Sequence, residues 1–276
     1  MAVTGGVKFF ERSLSLLKDG ASATASSNTE GANFLLTPVR YAKWSSVGSD
    51  DLTEETITIT LSGTKTFNRI LLAGINLKEF DVKYSSGGGF VDFANVIGVN
   101  GQTSATINET DFAFDSAYYE FDSVTTNQIQ IKARTTQTAK QEKEITTAHV
   151  MNEIGTLSGY PKVTAEVSNN EKKSTALSQR RVVQKTYERS RFKLAFKTHP
   201  FQGDLDIMET IFDSIDSYLI YPCGGRTGTD YFKVAQKNWR LDDVFNVQNT
   251  GKMKTEYDKN IYTLGFNKSV TFEESI

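Results

Sequence analysis

The residues that most often carry out catalysis are scarce in this sequence. It contains two histidines, His149 and His199, and a single cysteine, Cys223. A nucleophile needs a neighbouring general base, yet neither histidine adjoins a serine or cysteine in a nucleophile-elbow sequence. Cys223 follows Pro222 and precedes Gly224 at the end of an apolar segment, a context typical of a structural turn residue. This supply of residues predicts a protein that is not an enzyme.

Two further patterns lack the context of a ligand site. Five acidic residues recur at helical spacing, which predicts a solvated helix face and not a metal-binding loop: Asp204, Asp206, Glu209, Asp213 and Asp216. The glycine runs at 87–89 and 224–228 lack the lysine and the helix that follow in a phosphate-binding loop. The sequence therefore predicts no metal site and no cofactor.

Two clusters predict binding to a partner instead. The first is aromatic and lies in a Ser- and Thr-rich segment: Phe34, Tyr41 and Trp44. These rings could contact a sugar if they are exposed, or belong to the core if they are buried.

The second cluster is basic: Arg180, Arg181, Lys185, Arg189 and Arg191. On an alternating strand it would form a charged stripe, usable against nucleic acid or an acidic protein neighbour. The acids at 204–216 favour a second copy, paired head to tail in a ring.

The amino-acid composition fits a folded protein whose net charge favours no particular class of partner. The chain has 276 residues, 31 basic and 33 acidic, and 38% of its residues are hydrophobic. This balance predicts no specific nucleic-acid partner and no membrane partner. One cysteine excludes an internal disulfide. No apolar run approaches the roughly 20 residues that cross a bilayer, so we expect a protein made and assembled in the cytoplasm.

Alternating apolar and polar residues predict strands throughout the first half. The confident strand covers residues 55–61, and further strands are predicted at 69–73, 80–84, 118–121 and 127–133. Residues 7–20 fit either a helix or a strand. Short strands separated by turns are typical of a β-sandwich. Residues 134–147 are polar and predict a linker, which places the domain boundary between domains 1–145 and 146–276.

The second half of the sequence predicts a compact α+β domain. Together with the β-sandwich of the first half, this predicts a mainly β chain. Strands are predicted at 162–167, 181–187, 192–196 and 218–221, with more near the carboxyl end. Between them, Leu205, Met208, Ile211 and Ile215 recur at helical spacing, and Asp204 is a suitable N-cap. We expect the apolar stripe of this helix to pack onto a sheet.

The first half resembles the discoidin, or coagulation factor 5/8 C-type, family with its galactose-binding-like fold. The resemblance rests on residues 23–27, on the tryptophan segment 43–46, on the strand 55–61, on the hairpin 80–89 and on the closing strand 127–133. The family's tryptophan after the hairpin is replaced here by Phe90 or Phe93. The resemblance implies a jelly-roll-like β-sandwich. Members often bind glycans or lipid headgroups through loops at one end, but those loops vary, so no binding residue transfers.

The second half resembles phage tail-tip and baseplate proteins in the stretch 218–225, at 239–243 and at 262–266. Its order, a β-hairpin with a long polar excursion, one helix and then strands, is similar to tail-tube-like domains that build rings. The resemblance implies that residues 168–191 form an extended hairpin used in assembly.

These observations together predict a non-enzymatic structural component of a phage tail, at the distal tail, baseplate or tail tip of the virion. It would assemble through its second domain with copies of itself and with other tail proteins, and carry the sandwich peripherally. The alternative is a carbohydrate-binding module that attaches to a host-surface glycan.

Overall fold

Antiparallel strands make up most of the chain in a computed structural model, which describes residues 7–12, 20–37, 42–48, 50–98, 103–157, 162–175, 181–196, 202–213, 218–221, 245–257 and 266–274. Two units are distinguished: the first contains Phe10–Ile154, and the second contains Gly155–Gly225 and Phe245–Ile276. The described residues include two α-helices and one 3-10 helix. The predicted mainly β fold class is confirmed.

The first element of the chain is a strand. Residues 7–12, for which the sequence fits either a helix or a strand, therefore form β structure. In chain order the elements up to residue 157 are β1 (Val7–Arg12), β2 (Ser22–Ala25), α1 (Thr29–Ala32), a 3-10 helix (Asn33–Leu36), β3 (Trp44–Ser45), β4 (Glu55–Ala73), β5 (Leu77–Ser85), β6 (Phe90–Asp92), β7 (Val96–Gly98), β8 (Thr103–Ser104), β9 (Asn108–Glu109), β10 (Ser116–Thr136), β11 (Glu144–Ile145) and β12 (Thr147–Leu157).

Two long strands that pair with each other organise the first unit. β4 and β10 run antiparallel, from Ala73 opposite Ser116 to Glu55 opposite Ala133. Two register shifts, within β10 residues 120–128, divide the pair into two sectors. In one sector the order is β2-β4-β10-β5-β6, and in the other it is β12-β4-β10-β7-β8. The same two strands therefore contribute to both layers of a sandwich.

The two sectors enclose one hydrophobic core. Ile57 from the first sector and Ile70 from the second belong to the same cluster of buried residues. Where the sectors meet, the rings of Phe93 and Phe121 lie 4.1 Å apart, and Phe67 contacts Phe121 edge-on at 6.0 Å. Offset and edge-on ring pairs of this kind add stability beyond their burial. The shared core explains why β4 alternates buried isoleucines with half-exposed threonines.

Residues 134–147 belong to the sandwich, and the prediction of a linker there is wrong. β10 continues to Thr136, and β11 pairs with β3 through Ile145 opposite Trp44. Lys143 and Ile145 have no solvent exposure. Polar composition misleads here because the segment is fixed by hydrogen bonds to neighbouring loops.

The second unit contains β13 (Lys162–Thr175), β14 (Arg181–Phe196), α2 (Gln202–Asp213), β15 (Tyr218–Tyr221), β16 (Phe245–Tyr257) and β17 (Phe266–Glu274). Its strands are antiparallel in the order β13-β14-β17-β16-β15. The predicted extended hairpin at 168–191 is confirmed, since β13 and β14 pair over nearly their whole lengths. The predictions for residues 231–241 and 261–265 lie outside the described residues.

Helix α2 forms where the apolar spacing predicts it. Met208 and Ile211 are buried, whereas Asp206 and Glu209 are exposed. The helix begins at Gln202, so Asp204 lies in its first turn, buried, and is not the predicted N-cap.

α2 lies close to the end of β12 within the second unit. A Cβ atom added at Gly155 would lie only 2.4 Å from Ile207 Cδ1. Real Cβ atoms do not approach a neighbour so closely, so the absence of a side chain at Gly155 makes room for the side chain of Ile207.

Candidate functional site

Several segments meet at one end of the sandwich, where β2 and β10 end and β4 and β5 begin. They are residues 26–37, 42–48, 50–54, 74–76 and 137–146, and we call them the loop end. Hydrogen bonds tie them together: Asn76 Nδ2 donates to the carbonyl oxygen of Glu142 at 2.7 Å, and Asn76 Oδ1 accepts from the backbone N–H of Glu144 at 2.8 Å. The loops are therefore positioned by the scaffold and by one another.

Asn28 fixes the start of α1 at the loop end. Its backbone is left-handed, with φ 48° and ψ 54°, a conformation that asparagine tolerates better than most residues. Its Oδ1 accepts from Gly31 N at 3.3 Å, and its Nδ2 donates to the carbonyl oxygen of Ser45 at 2.8 Å. Next to it, the indole N–H of Trp44 donates to the carbonyl oxygen of Ser27 at 3.2 Å. These bonds hold the helical segment against β3.

Lys143 anchors the loop between β3 and β4. Its Nζ donates to the carbonyl oxygen of Asp50 at 2.8 Å, and its backbone N–H donates to Ser46 Oγ at 2.9 Å. The backbone N–H of Ser46 donates in return to the carbonyl oxygen of Lys143 at 2.9 Å. Burial lowers the pKa of the Lys143 ammonium, and the charges of Glu55, Asp50 and Asp51 oppose that shift.

Two carboxylates fix the chain as it enters β4. Asp50 Oδ1 accepts from the backbone N–H groups of Leu52 and Thr53 at 3.0 and 2.9 Å and from the Thr53 hydroxyl at 2.9 Å. These bonds hold the pKa of Asp50 below its usual value, the Thr53 hydroxyl contributing most. Glu55 is buried and accepts a hydrogen bond from the Ser26 hydroxyl. The ionisable groups here serve the loop's own geometry.

Apolar side chains project into solvent from this fixed scaffold. Phe34 is 46% exposed, Val47 62% and Leu52 73%. Among the described residues, only Val91 and Ile97 are further large hydrophobic side chains with such exposure, and they lie on strands outside the loop end. Exposed apolar residues concentrated on loops mark a surface that could bind a partner.

The loop end is also acidic. Its exposed and half-exposed acids, including two that directly adjoin it, are Glu30, Asp50, Asp51, Glu54, Asp111, Asp115, Glu142 and Glu144. Counted in the same way among the described residues, the exposed and half-exposed basic residues of the region are five: Lys43, Lys78, Lys132, Arg134 and Lys140. Lys132 and Arg134 both pair with Glu54, at 3.5 and 3.7 Å. Lys43 pairs with Glu144 at 2.6 Å and Lys78 with Asp111 at 3.3 Å. A surplus of negative charge remains, and it should repel polyanions.

The predicted aromatic cluster does not form one surface. Phe34 is exposed on the 3-10 helix, as a sugar contact would require. Trp44 has no exposure and is a core residue, because its ring is enclosed and its only polar atom is satisfied by Ser27. Tyr41 lies outside the described residues. Val47 and Leu52, which sequence reasoning missed, join Phe34 as exposed groups, and no periodic signal marks them because they lie in an irregular loop.

The predicted basic cluster belongs to the second unit. Arg181, Lys185, Arg189 and Arg191 lie on β14, and Arg180 lies outside the described residues. Strict alternation along β14 predicts that these residues form a single stripe on one face. The pairing register of β13 and β14 instead divides them between two faces. A register shift between Asn170 and Glu171 of β13 interrupts the alternation.

Other candidate groups add no site. Half-buried His149 lies 3.5 Å from the Thr147 hydroxyl, while His199 and Cys223 lie outside the described residues. In the described part of the chain, no three histidine, cysteine or acidic residues are grouped to hold a metal ion. Likewise, no described helix is long and apolar enough to cross a membrane.

Comparison with known proteins gives structural similarities alone. No protein-family model matches the sequence, and no curated protein matches it. Among solved structures, chitosan-binding module 1 from a chitosanase/glucanase of Paenibacillus sp. IK-5 is 15% identical, covers 52% of this chain and 99% of its own, and has a TM-score of 0.40.

Two further structures are similar to about the same extent. Chitosan-binding module 2 of the same enzyme, in complex with chitotriose, is 15% identical, covers 51% of this chain and 98% of its own, and has a TM-score of 0.38. A family 32 carbohydrate-binding module from Clostridium perfringens, in complex with galactose, is 13% identical, covers 52% and 99%, and has a TM-score of 0.38. Similarity of this size carries no ligand over to this chain. Nor does it support the expected role in a phage tail, which stays a prediction.

Proposed function

We propose that this chain is a non-catalytic binding protein whose sandwich unit binds carbohydrate at the loop end. The observation that carries the proposal is the exposed ring of Phe34 on a 3-10 helix that hydrogen bonds hold in place. An aromatic ring offers a flat apolar surface to the C–H face of a pyranose, and few torsions are lost when it binds. Exposed loop residues on a rigid scaffold are a common arrangement for recognition.

The polar groups around Phe34 support the same function. Sugar hydroxyls accept and donate hydrogen bonds, and the carboxylates and backbone groups of the loop end can satisfy them. The negative charge of the loop end disfavours sulfated and uronic-acid glycans. The proposed ligand class is therefore neutral or amino-substituted oligosaccharides.

The commitment of the ionisable groups supports a non-catalytic role. Glu55 accepts a hydrogen bond from the Ser26 hydroxyl, and Asp50 accepts one from a backbone N–H of its own loop. Lys143 donates a hydrogen bond to a backbone carbonyl. A general acid or base must be free to exchange its proton with a substrate. Each of these three groups has a structural role in the loops that accounts for its position without proton transfer.

The test is titration calorimetry with neutral, amino-substituted and acidic oligosaccharides. We expect Phe34→Ala to weaken binding of the best neutral or amino sugar by about tenfold or more, which corresponds to roughly 1.4 kcal/mol. Phe34→Trp should retain binding. The matched control is Val91→Ala, because Val91 is 38% exposed and pairs with Tyr84, seven residues along β5 and about 23 Å from the loop end.

Two results would reject the proposal. One is that none of the oligosaccharides binds the wild-type protein. The other is that Phe34→Ala binds as tightly as the Val91→Ala control.

A further inference from the structure

The hairpin of the second unit continues as two paired strands beyond its described pairing with β17. β17 pairs with β14 only from Arg191 to Phe196, while β13 continues to pair with β14 out to Thr175 opposite Arg181. Among the described residues, no third strand pairs with these two beyond Arg191. Ten residues at about 3.3 Å each give a length of about 33 Å. We call residues 168–175 and 181–190 the basic arm.

A register shift distributes the basic residues over both faces of the basic arm. Arg189 lies opposite Ser168, whereas Lys185 lies opposite Glu171. Residues 168 and 171 are three apart on β13, and alternate residues of a strand share a face, so the two pairs fall on opposite faces. Lys172 and Lys173, as neighbours on β13, are divided in the same way.

The basic arm differs in charge from the rest of the chain. Its described residues include five basic and two acidic residues, a net charge of +3. Residues 10–154, which form most of the sandwich unit, carry 12 basic and 18 acidic residues, a net charge of −6. The arm and the sandwich unit are therefore complementary in charge.

Two strands of this length, to which no third strand is paired in the described part of the chain, favour binding to a partner. A two-stranded hairpin without a third strand or a supporting core is at best marginally stable in water. Its outer strand also presents unpaired backbone groups, as every edge strand does. The net positive charge of the arm favours an acidic partner, and every copy of this chain supplies an acidic surface at its loop end.

We propose that the basic arm of one molecule binds the acidic loop end of the sandwich unit in a second copy. An arm that binds the neighbouring copy, whose own arm remains available to the next, is a heterologous contact and produces chains or closed rings. A second copy is favoured over nucleic acid because the chain as a whole is acidic, and a −6 sandwich unit would repel a phosphate backbone.

The test is sedimentation velocity on the full chain from about 1 to about 100 µM, the range in which weak interfaces associate. We expect self-association at low salt that weakens at high salt, since salt screens contacts between exposed charges. The double variant Lys173→Glu and Lys185→Glu should weaken association by about tenfold or more. The control Lys65→Glu lies on β4 outside the loop end, makes the same charge change as either single arm variant, Lys173→Glu or Lys185→Glu, and should associate as the wild type does.

Rescue in trans separates a specific contact from loss of the folded arm. The loop-end variant Glu30→Lys with Asp111→Lys should also fail to associate alone, but should associate with the Lys173→Glu, Lys185→Glu variant when mixed. The proposal is overturned if the wild type stays monomeric at all concentrations, if arm reversal has no effect, if mixing restores nothing, or if the arm binds duplex DNA while the chain stays monomeric. No sugar is present in these measurements, so failure of glycan binding leaves the result unaffected.

Discussion

Lys143 donates a charged hydrogen bond to the carbonyl oxygen of Asp50 from a position without solvent exposure. Replacement by methionine keeps the apolar stem and removes the ammonium. A hydrogen bond to a charged group contributes roughly 1.5–3 kcal/mol. We expect Lys143→Met to destabilise the sandwich unit by about that amount, measured by urea unfolding.

Trp44 fluorescence can report the sandwich unit alone in this experiment. The chain has two tryptophans, Trp44 and Trp239, so a Trp239→Phe background leaves one reporter, buried in the core next to β11. Lys140→Met is the control, since Lys140 is exposed. If the two variants unfold at the same urea concentration, the buried ammonium does not stabilise the loop end.

Two buried tyrosines predict loss of stability at alkaline pH. Burial raises the pKa of Tyr118 and of Tyr119 well above 10, and the negative charges of Glu120 and Glu109 raise them further. The unfolded chain releases these protons near pH 10, whereas the folded chain retains them. Stability is therefore unaffected below pH 10 and falls as pH rises through it, by up to about 1.4 kcal/mol per pH unit for each tyrosine.

The measurement is the free energy of unfolding between pH 9 and about pH 11. Tyr118→Phe with Tyr119→Phe should show a shallower decline than the wild type, although it loses the 2.8 Å bond to Glu109 and starts less stable. Equal slopes in the two proteins would mean that other groups cause the alkaline loss.

At the scale of elements, the contact between α2 and β12 depends on Gly155. A methyl group there would press against Ile207, and overpacking of this kind costs about 1–3 kcal/mol. We expect Gly155→Ala to lower stability by that amount, and Ile207→Val to restore part of it in the double variant. A double-mutant cycle followed by helical circular dichroism measures the coupling. Additive effects would show that the two residues do not share this contact.

The sequence predicts the existence of the strands better than their extent. Alternation of apolar and polar residues identifies the strands at 55–61 and 127–133 correctly, because every second residue there points into the same hydrophobic core. It predicts two strands, 55–61 and 69–73, separated at Ser62 and Gly63, whereas β4 is continuous from Glu55 to Ala73. The two parts form one strand because pairing with β10 resumes at Lys65, opposite Thr126, beyond the register shift. Pairing between two segments far apart in the sequence cannot be predicted from the residues of either segment alone.

Side-chain burial in the candidate site follows the same rule. Phe34 and Trp44 are both aromatic residues in one polar segment, and nothing in their spacing separates the exposed ring from the buried one. The difference arises because β3 pairs with β11, about a hundred residues later, and encloses Trp44. Lys143 cannot be identified as buried for a similar reason: its partner is a backbone carbonyl, which every residue possesses.

At the scale of the whole molecule, the described hydrophobic core predicts that the sandwich can fold without the second unit. The central cluster of buried residues lies entirely within residues 21–150. β1 adds Phe10, whose ring lies 6.3 Å from that of Tyr118 in the same unit. We expect a fragment of residues 7–157 to unfold cooperatively in urea, as domains of this size commonly do.

The fragment also separates the two activities proposed for the chain. It keeps the loop end and lacks the basic arm, so it should not self-associate and should bind carbohydrate at least as tightly as the full chain, whose loop end the arm of a second copy also binds. Trp44 emission typical of a buried indole would confirm that the core is formed, and a fragment of residues 20–157 tests whether β1 is needed. A fragment that folds and still associates would place the self-contact on the sandwich, because the arm would no longer be present to make it.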